Sequence, residues 1–322
     1  MPKIYHTMWM LFIFCSACNH IEEPHEISGE QLSKSIQITP EENPNVDYNL
    51  PKIPSRYDME VHSFQEFLNE LHNGVNLQLD ASTFDIQEIA QQDRGVHYKW
   101  IGVQDGEAKA SAPVGLVLTN LDSVTIKGIY GNKPPIFFNN KEESNVLVLE
   151  QCNNICLDNL LFKNAGGGDK KLGSFLVLKD CNNIIINNCQ TRGFAAFGLE
   201  IYNSKNITVN QYQEKGSTCG LLKFKNVQNA QLINSQFKNG LHYQDLIQMS
   251  NCMNIEMNNL TIQNHTKSIE IDSSIALFSI EKSTNIQLKN SKLEKNDVDA
   301  FIASDTSQLK SQALIEKRNR YE

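Results

Sequence analysis

A phrase of the form Asn-apolar-x-apolar-x-Asn recurs six times in this chain and constrains its fold more than any other feature. It occupies residues 154–159, 183–188, 206–211 (with Gln211 in the last place), 229–234, 254–259 and 285–290, with a degenerate copy at 124–128. Self-similarity at a period of about 20–50 residues is the mark of a solenoid, built from units that bury their apolar face only against their neighbours. The apolar residue after the first Asn serves as an anchor: Val124, Ile155, Ile184, Ile207, Ala230, Ile255 and Ile286. Subtraction gives intervals of 31, 29, 23, 23, 25 and 31 residues, so the shortest is one minimal coil and the others add loop residues.

Around each anchor the apolar positions alternate with period two, which strands require and helices cannot keep in step. Two residues after the anchor come Ile126, Leu157, Ile186, Val209, Leu232, Met257 and Leu288; six before it come Leu118, Leu149, Leu178, Ile201, Phe224, Met249 and Ile280. A further short strand supplies Phe162, Phe237, Ile262 and Leu293 seven after it. Three short strands per coil, stacked in parallel about 4.8 Å apart, form a β-helix. Asn154, Asn183, Asn206, Asn229, Asn254 and Asn285 then read as a structural ladder. Asn tolerates a left-handed bend, and its amide can bond the Asn of the next coil, for about 1 kcal/mol each. Ser63 is an N-cap for a helix with Phe64, Phe67, Leu68 and Leu71 on one face and Gly74 at its end, suited to covering the first coil. The β-helix is expected over residues 61–305. Residues 306–322 are expected to form a polar tail or a cap, with a short helix around Leu309 to Ile315.

The Asn-bend coils, the leading helix and the strand that follows it at residues 75–79 resemble the pectin-lyase-like superfamily over roughly residues 61–300. The resemblance implies an all-β fold, a right-handed single-stranded parallel β-helix with an N-terminal capping α-helix. It implies no reaction, because fold alone does not carry function. The galacturonan hydrolase motifs Asp-Asp and Gly-His-Gly are missing, as is the Arg-x-Pro-x-x-Arg of pectate lyases. Of the Lys-Ser pair and Asn-Gly-rich signature of alginate and chondroitin lyases, only Lys267-Ser268 is found.

The N-terminus reads as an address. Lys3, the apolar run 8–14 and Cys15-Ser16-Ala17-Cys18 resemble a bacterial lipoprotein signal of residues 1–17, with Cys15 standing where Leu is usual. Cys18 would then be acylated and the partner would be a membrane, in the cell envelope. Residues 18–60 carry Pro24, Pro40, Pro44, Pro51 and Pro54 among polar side chains and read as a disordered tether. Glu22-Glu23 resembles the acidic surface-export signal of some Bacteroidetes lipoproteins. The net charge of −8 is spread along the chain, which argues against a nucleic-acid partner. Cys152, Cys181 and Cys252 lie three before an anchor and read as packed thiols, with a Cys152–Cys181 disulfide on adjacent coils as the alternative; Cys156 should point outward and Cys189 inward. No Cys/His spacing suits zinc, so neither a metal nor a cofactor is expected.

One cluster could carry catalysis or binding. His242, Tyr243 and Asp245 follow one coil and His265 follows the next, while Arg192 and Lys238 each lie eight after an anchor, on one edge two coils apart. A lyase needs a cation for a uronate carboxylate and a base for the α-proton, and these residue types supply both. Outward rows before the anchors run Glu150, Lys179, Tyr202, Lys225, Ser250, Glu281 and Val148, Val177, Glu200, Lys223, Gln248, Ser279. Long loops at 164–173 and 264–274 emerge at the histidine edge. Gly166-Gly167-Gly168 lacks the Lys-Ser/Thr and helix of a phosphate loop. The leading expectation is an envelope lipoprotein that recognises an extended polymer, a polysaccharide. A β-helix polysaccharide lyase or glycoside hydrolase, and a structural or adhesive surface protein, stand as alternatives.

Overall fold

A computed structural model describes residues 57–80, 82–86, 98–100 (backbone only), 115–131, 133–140, 144–164, 173–303 and 309–321. The signal segment with Cys18, the tether up to residue 56 and the loop residues 165–172 lie outside the described residues.

The described chain winds through three parallel sheets, each taking one strand per coil. The first sheet has ten strands, from Tyr57–Val61 through Asn182–Asn187 to Leu309–Gln312. The second and third have nine each. The second runs from Thr83–Asp85 to Ile315–Lys317, and the third includes Leu147–Glu150, Leu199–Tyr202 and Ala300–Ile302. The short strand Tyr98–Trp100 pairs antiparallel with Leu116–Thr119 at the end of the third sheet. Pairing between coils holds anchor to anchor: Val124 faces Ile155, then Ile184, Ile207, Ala230, Ile255 and Ile286. All seven are at most 3% exposed. The core is therefore a bundle of columns. One begins with Phe84, Phe137 and Phe162, whose rings stack at centroid distances of 5.3 and 5.8 Å.

The bends between sheets depend on left-handed residues. Asn154, Asn183, Asn206, Asn229, Asn254 and Asn285 have φ between 52° and 58°, and Asn159, Asn188, Asn234, Asn259 and Asn290 form a second column. A third column contains Asn203, Asn226 and Asn251. The amides bond from coil to coil: Asn183 Nδ2 donates to Asn154 Oδ1 (2.6 Å), Asn229 to Asn206 (3.2 Å), Asn254 to Asn229 (3.0 Å) and Asn285 to Asn254 (2.8 Å). Asn206 departs from the pattern and donates to Asn182 (2.9 Å). Six described cysteines are free thiols; Cys189 is buried and Cys156 half-buried.

The ends differ from the sequence-based expectation. Strand Tyr57–Val61 already pairs in parallel with Val75–Leu79, so the fold starts before residue 61. The helix spans only Phe64–Asn69, and the Ser63 hydroxyl accepts from the Glu66 amide (3.2 Å). Beyond Glu70 the chain leaves the helix. Leu71 stays buried and the Asn73 side chain accepts from the Asp122 amide (2.9 Å). Phe67 packs on Phe84 and Phe137.

At the other end, the helix expected around Leu309 to Ile315 is replaced by strands Leu309–Gln312 and Ile315–Lys317, which continue the first two sheets. Leu309 stands in the anchor column opposite Ile286, and Ala313 and Arg318 repeat the left-handed bends at φ 52° and 54°. Charged residues hid this coil, and charge is what edge strands use to discourage further pairing.

The ladder divides into two separable contributions. Asn229→Ala removes the amide bonds to both neighbours and places a Cβ without local hydrogen bonding in the left-handed region. It should cost about 2–3 kcal/mol in urea unfolding. Asn229→Gly keeps the backbone and should cost about 1–2 kcal/mol. Equal losses would remove the backbone share of this account.

Candidate functional site

His242 and His265 do meet, but inside the coil. His242 lies in the two-residue strand Leu241–His242, beside Thr266–Lys267, and both rings are fully buried. His265 Nδ1 accepts from the Gly240 amide (3.2 Å) and lies 2.8 Å from His242 Nε2. Because the backbone donor fixes His265 Nδ1 as an acceptor, His242 Nε2 carries the proton between the rings. Burial pushes His265 down to about 4 and His242 further below its ordinary value, with the neighbouring ring adding to the latter. A neutral pair sealed in the core cannot reach a polymer outside. The surface acid–base role read for these residues is corrected on that ground. Asp245 is also engaged: its Oδ1 accepts from the Ala276 amide (2.7 Å) and its carbonyl from Gln248 (3.0 Å), so it ties the loop to the next coil. Tyr243 is half-buried beside it, with its amide donating to the Thr218 carbonyl (3.0 Å).

A buried carboxyl escaped the sequence reading. Glu214 stands in the Phe162 and Phe237 column, next to Thr191, and is 2% exposed. Its Oε1 accepts from the Ser217 amide (2.8 Å), and Oε2 is buried without a partner. Burial pushes its pKa up to about 7. Its offset, seven residues after the anchor Ile207, is where an apolar residue belongs, and that mismatch was the available signal.

The three outward faces differ in how far their polar groups are already engaged. On the third sheet, Lys179 pairs with Glu150 (3.3 Å), and Glu200 accepts from both Ser174 and Tyr202. Lys223 lies over the Phe197 ring at 5.2 Å. On the first sheet a shallow groove of ≈ 410 Å³ is lined by Asn183, Asn206, Thr208, Asn229, Gln231 and Asn254. Asn206, Asn229 and Asn254 each already spend a donor and an acceptor on other asparagines, and Asn183 donates to Asn154.

The second sheet is different. Arg192 and Lys238 stand in one column with Lys163 and Lys215, in the register Lys163, Arg192, Lys215, Lys238. Among the described residues none of these four forms an ion pair. Like charges on neighbouring strands oppose pairing by a few tenths of a kcal/mol, so stability alone does not explain the row. Two residues earlier on the same face run Gln190, Gln213 and Gln236; Arg192 donates to Gln190 Oε1 (3.0 Å). The spread of charge along the sequence concealed this concentrated basic row. Lys163 and Lys215 share the offset of Arg192 and Lys238, eight residues after an anchor.

A bulge adds an aromatic ring to this face. Arg192 pairs with Lys215 and Ala195 with Ser217, leaving Gly193-Phe194 opposite Gly216 alone. Gly193 and Gly216 have φ of 117° and 105°. A Cβ on Gly193 would lie 2.0 Å from the Asn164 carbonyl oxygen, and one on Gly216 2.0 Å from that of Gly193. Only glycine fits there. The inserted Phe194 is 48% exposed.

No family profile matches the chain, and no curated protein matches it. Among solved structures, a pectate lyase from Paenibacillus sp. 0602 is similar at 9% identity, over 81% of this chain and 78% of that one, with a TM-score of 0.52. A Bacillus subtilis pectate lyase variant aligns over 81% of this chain and 80% of its own at 12% identity, TM-score 0.48. Pectate lyase II of Xanthomonas campestris pv. campestris aligns over 83% and 82% at 11% identity, TM-score 0.45. At 9% identity the first likeness is one of architecture: this chain is an all-β, right-handed parallel β-helix.

The two kinds of buried group act in opposite directions with pH. The histidines have folded values below their unfolded value of about 6.5, so the unfolded chain binds more protons and stability is lost as pH falls below that. Glu214 is raised from 4.5 to about 7, so the folded chain holds the extra proton, and its stabilisation is lost as pH rises from 4.5 towards 7. Glu214→Gln should therefore be more stable than the parent at pH 8, by on the order of 3 kcal/mol, and fall more steeply on acidification to pH 5. Denaturant midpoints at pH 5 and 8 check this. Parallel pH profiles for the two proteins would contradict it.

Proposed function

We propose that this chain is an outer-membrane lipoprotein, acylated at Cys18 and exposed at the cell surface, whose β-helix recognises an extended polysaccharide. The observation that carries the recognition is the second-sheet face, where a row of amides and a row of cations recur at one-coil intervals along a rigid scaffold, with the exposed Phe194 inserted once beside them. Amide side chains can bond sugar hydroxyls, and an exposed ring offers an apolar platform for the face of a pyranose. The repeat of the coils suits a ligand that itself repeats. Residues 18–56, read from their composition as a tether, would give a reach on the order of 35 Å from the membrane. The helix Phe64–Asn69 would cover the open edge of the first coil, where an unpaired strand otherwise invites another chain. A lyase or hydrolase is less well supported, because the histidines that would act as its base are buried.

Two measurements test the two halves of the reading. The full chain in detergent, screened against a panel of neutral and acidic polysaccharides, should bind at least one and melt at a higher temperature with it. A panel without a single binder would overturn the recognition half. Cys18→Ala should abolish fatty-acid labelling and release the protein from the membrane fraction; labelling that persists would remove Cys18 from the account.

A further inference from the structure

We infer that the outward face of the second sheet is a track for an acidic polysaccharide, lying along the helix axis with about one acid group per coil. The inference rests on the reading that the chain recognises an extended polysaccharide, and it names the class of polymer and the residues that hold it.

Lys163, Arg192, Lys215 and Lys238 occupy four consecutive coils in one column. Parallel strands lie about 4.8 Å apart, so the row spans about 14 Å with one positive charge per step. Lys163, Arg192 and Lys215 are exposed and Lys238 is half-buried. On this chain of net charge −8, nearby carboxylates could have paired with them, as Glu150 pairs with Lys179 and Glu256 with Lys289. In this column that does not happen. The same column continues through Gln263 to Glu294, two coils beyond Lys238, where the carboxylate is paired with Lys292.

The track has a second rail. Gln190, Gln213 and Gln236 run parallel to the cations, two residues or about 6.6 Å away along each strand; Arg192 bridges to Gln190, while on the next two coils no hydrogen bond among the described residues joins the rails and the gap suits one sugar ring across. Both ends change character. Towards the N-terminus the cation column passes to Phe138, over which Lys163 sits at 5.8 Å, and the amide column passes to the buried Leu161. Towards the C-terminus the two columns pass to the uncharged Gln263 and Thr261. Phe194 emerges beside Arg192 at the open side of the track.

A neutral glycan would leave four cations without a counter-charge. A duplex nucleic acid would bring a much denser line of phosphates, and any nucleic acid would meet a protein of overall negative charge. A polysaccharide with a carboxylate or sulfate at sugar-length intervals matches the cations, the amides and the ring together. Arg192 can hold either group with a pair of hydrogen bonds, and the lysines act as point charges.

The test uses the full chain in detergent, with alginate as the carboxylate polymer, dextran sulfate as the sulfated one, unmodified dextran as the neutral one and poly(dT) as the nucleic acid. Affinity should be highest for alginate or dextran sulfate, the better of the two identifying the acid group, and should fall as salt is raised. Replacing each cation by Gln (K163Q, R192Q, K215Q, K238Q) should weaken that binding about threefold, and all four together on the order of 50-fold. Phe194→Ala should weaken it, while Lys205→Gln, on the exposed end of a first-sheet strand, should not. Unchanged melting curves would show that the variants fold.

An undiminished affinity in the fourfold variant would overturn this site and leave polysaccharide recognition standing. Equal affinity for dextran and the acidic polymers would overturn the acid preference alone. Tighter binding to poly(dT) than to either acidic polymer would replace the polysaccharide with a nucleic acid. If no polysaccharide binds, the functional reading fails and this inference with it.

Discussion

Parallel backbone pairing between one coil and the next is the interaction on which everything else in this molecule depends. Because it holds anchor to anchor from Val124 to Ile286, each position of the coil becomes a column of residues at the same place. A slip of one residue would turn every inward side chain outward. The bends protect the register: left-handed asparagines recur at the same points of successive coils, and their amides tie those points together. Insertions are confined to loops and to one bulge, where they leave the sheets in step.

Inside, the same register that builds the phenylalanine stack puts polar groups where they cannot be hydrated. Glu214 follows Thr191 in the column of Phe162 and Phe237, and the two histidines share a proton beneath the loop edge. Burial favours the neutral forms, holding Glu214 protonated up to a pKa of about 7 and lowering the pKa of both histidines. Their position makes them determinants of pH-dependent stability and removes them from surface chemistry.

Outside, the faces are distinguished less by composition than by whether their polar groups are already paired. The third sheet pairs Lys179 with Glu150 across strands and engages Glu200 with Tyr202 on its own strand, and the first binds its asparagines to one another. The second holds four cations without carboxylate partners beside a row of amides, and a bulge adds an exposed ring. Single cations such as Lys205 on the first sheet and Lys225 on the third also lack a carboxylate among the described residues, but on the second sheet four of them stand in register on successive coils.

The sequence by itself determined the scaffold, because a period-two pattern locked to a repeating Asn phrase is compatible with few folds and names the inward columns residue by residue. It placed Arg192 and Lys238 on one edge, and the shared offset of eight was enough to reach Lys163 and Lys215 as well. It could also have revealed Glu214, which breaks an apolar column at a countable position. What only the tertiary structure decided was burial and partnership. The short strand Leu241–His242 and the turn into Thr266–Lys267 carry His242 and His265 into the interior, where spacing alone placed them on an exposed rim. The polar C-terminal segment becomes another coil because a pairing edge was waiting for it. Which cations are neutralised depends on contacts between coils about 23–31 residues apart, and no local pattern encodes whether a carboxylate from the next coil will arrive.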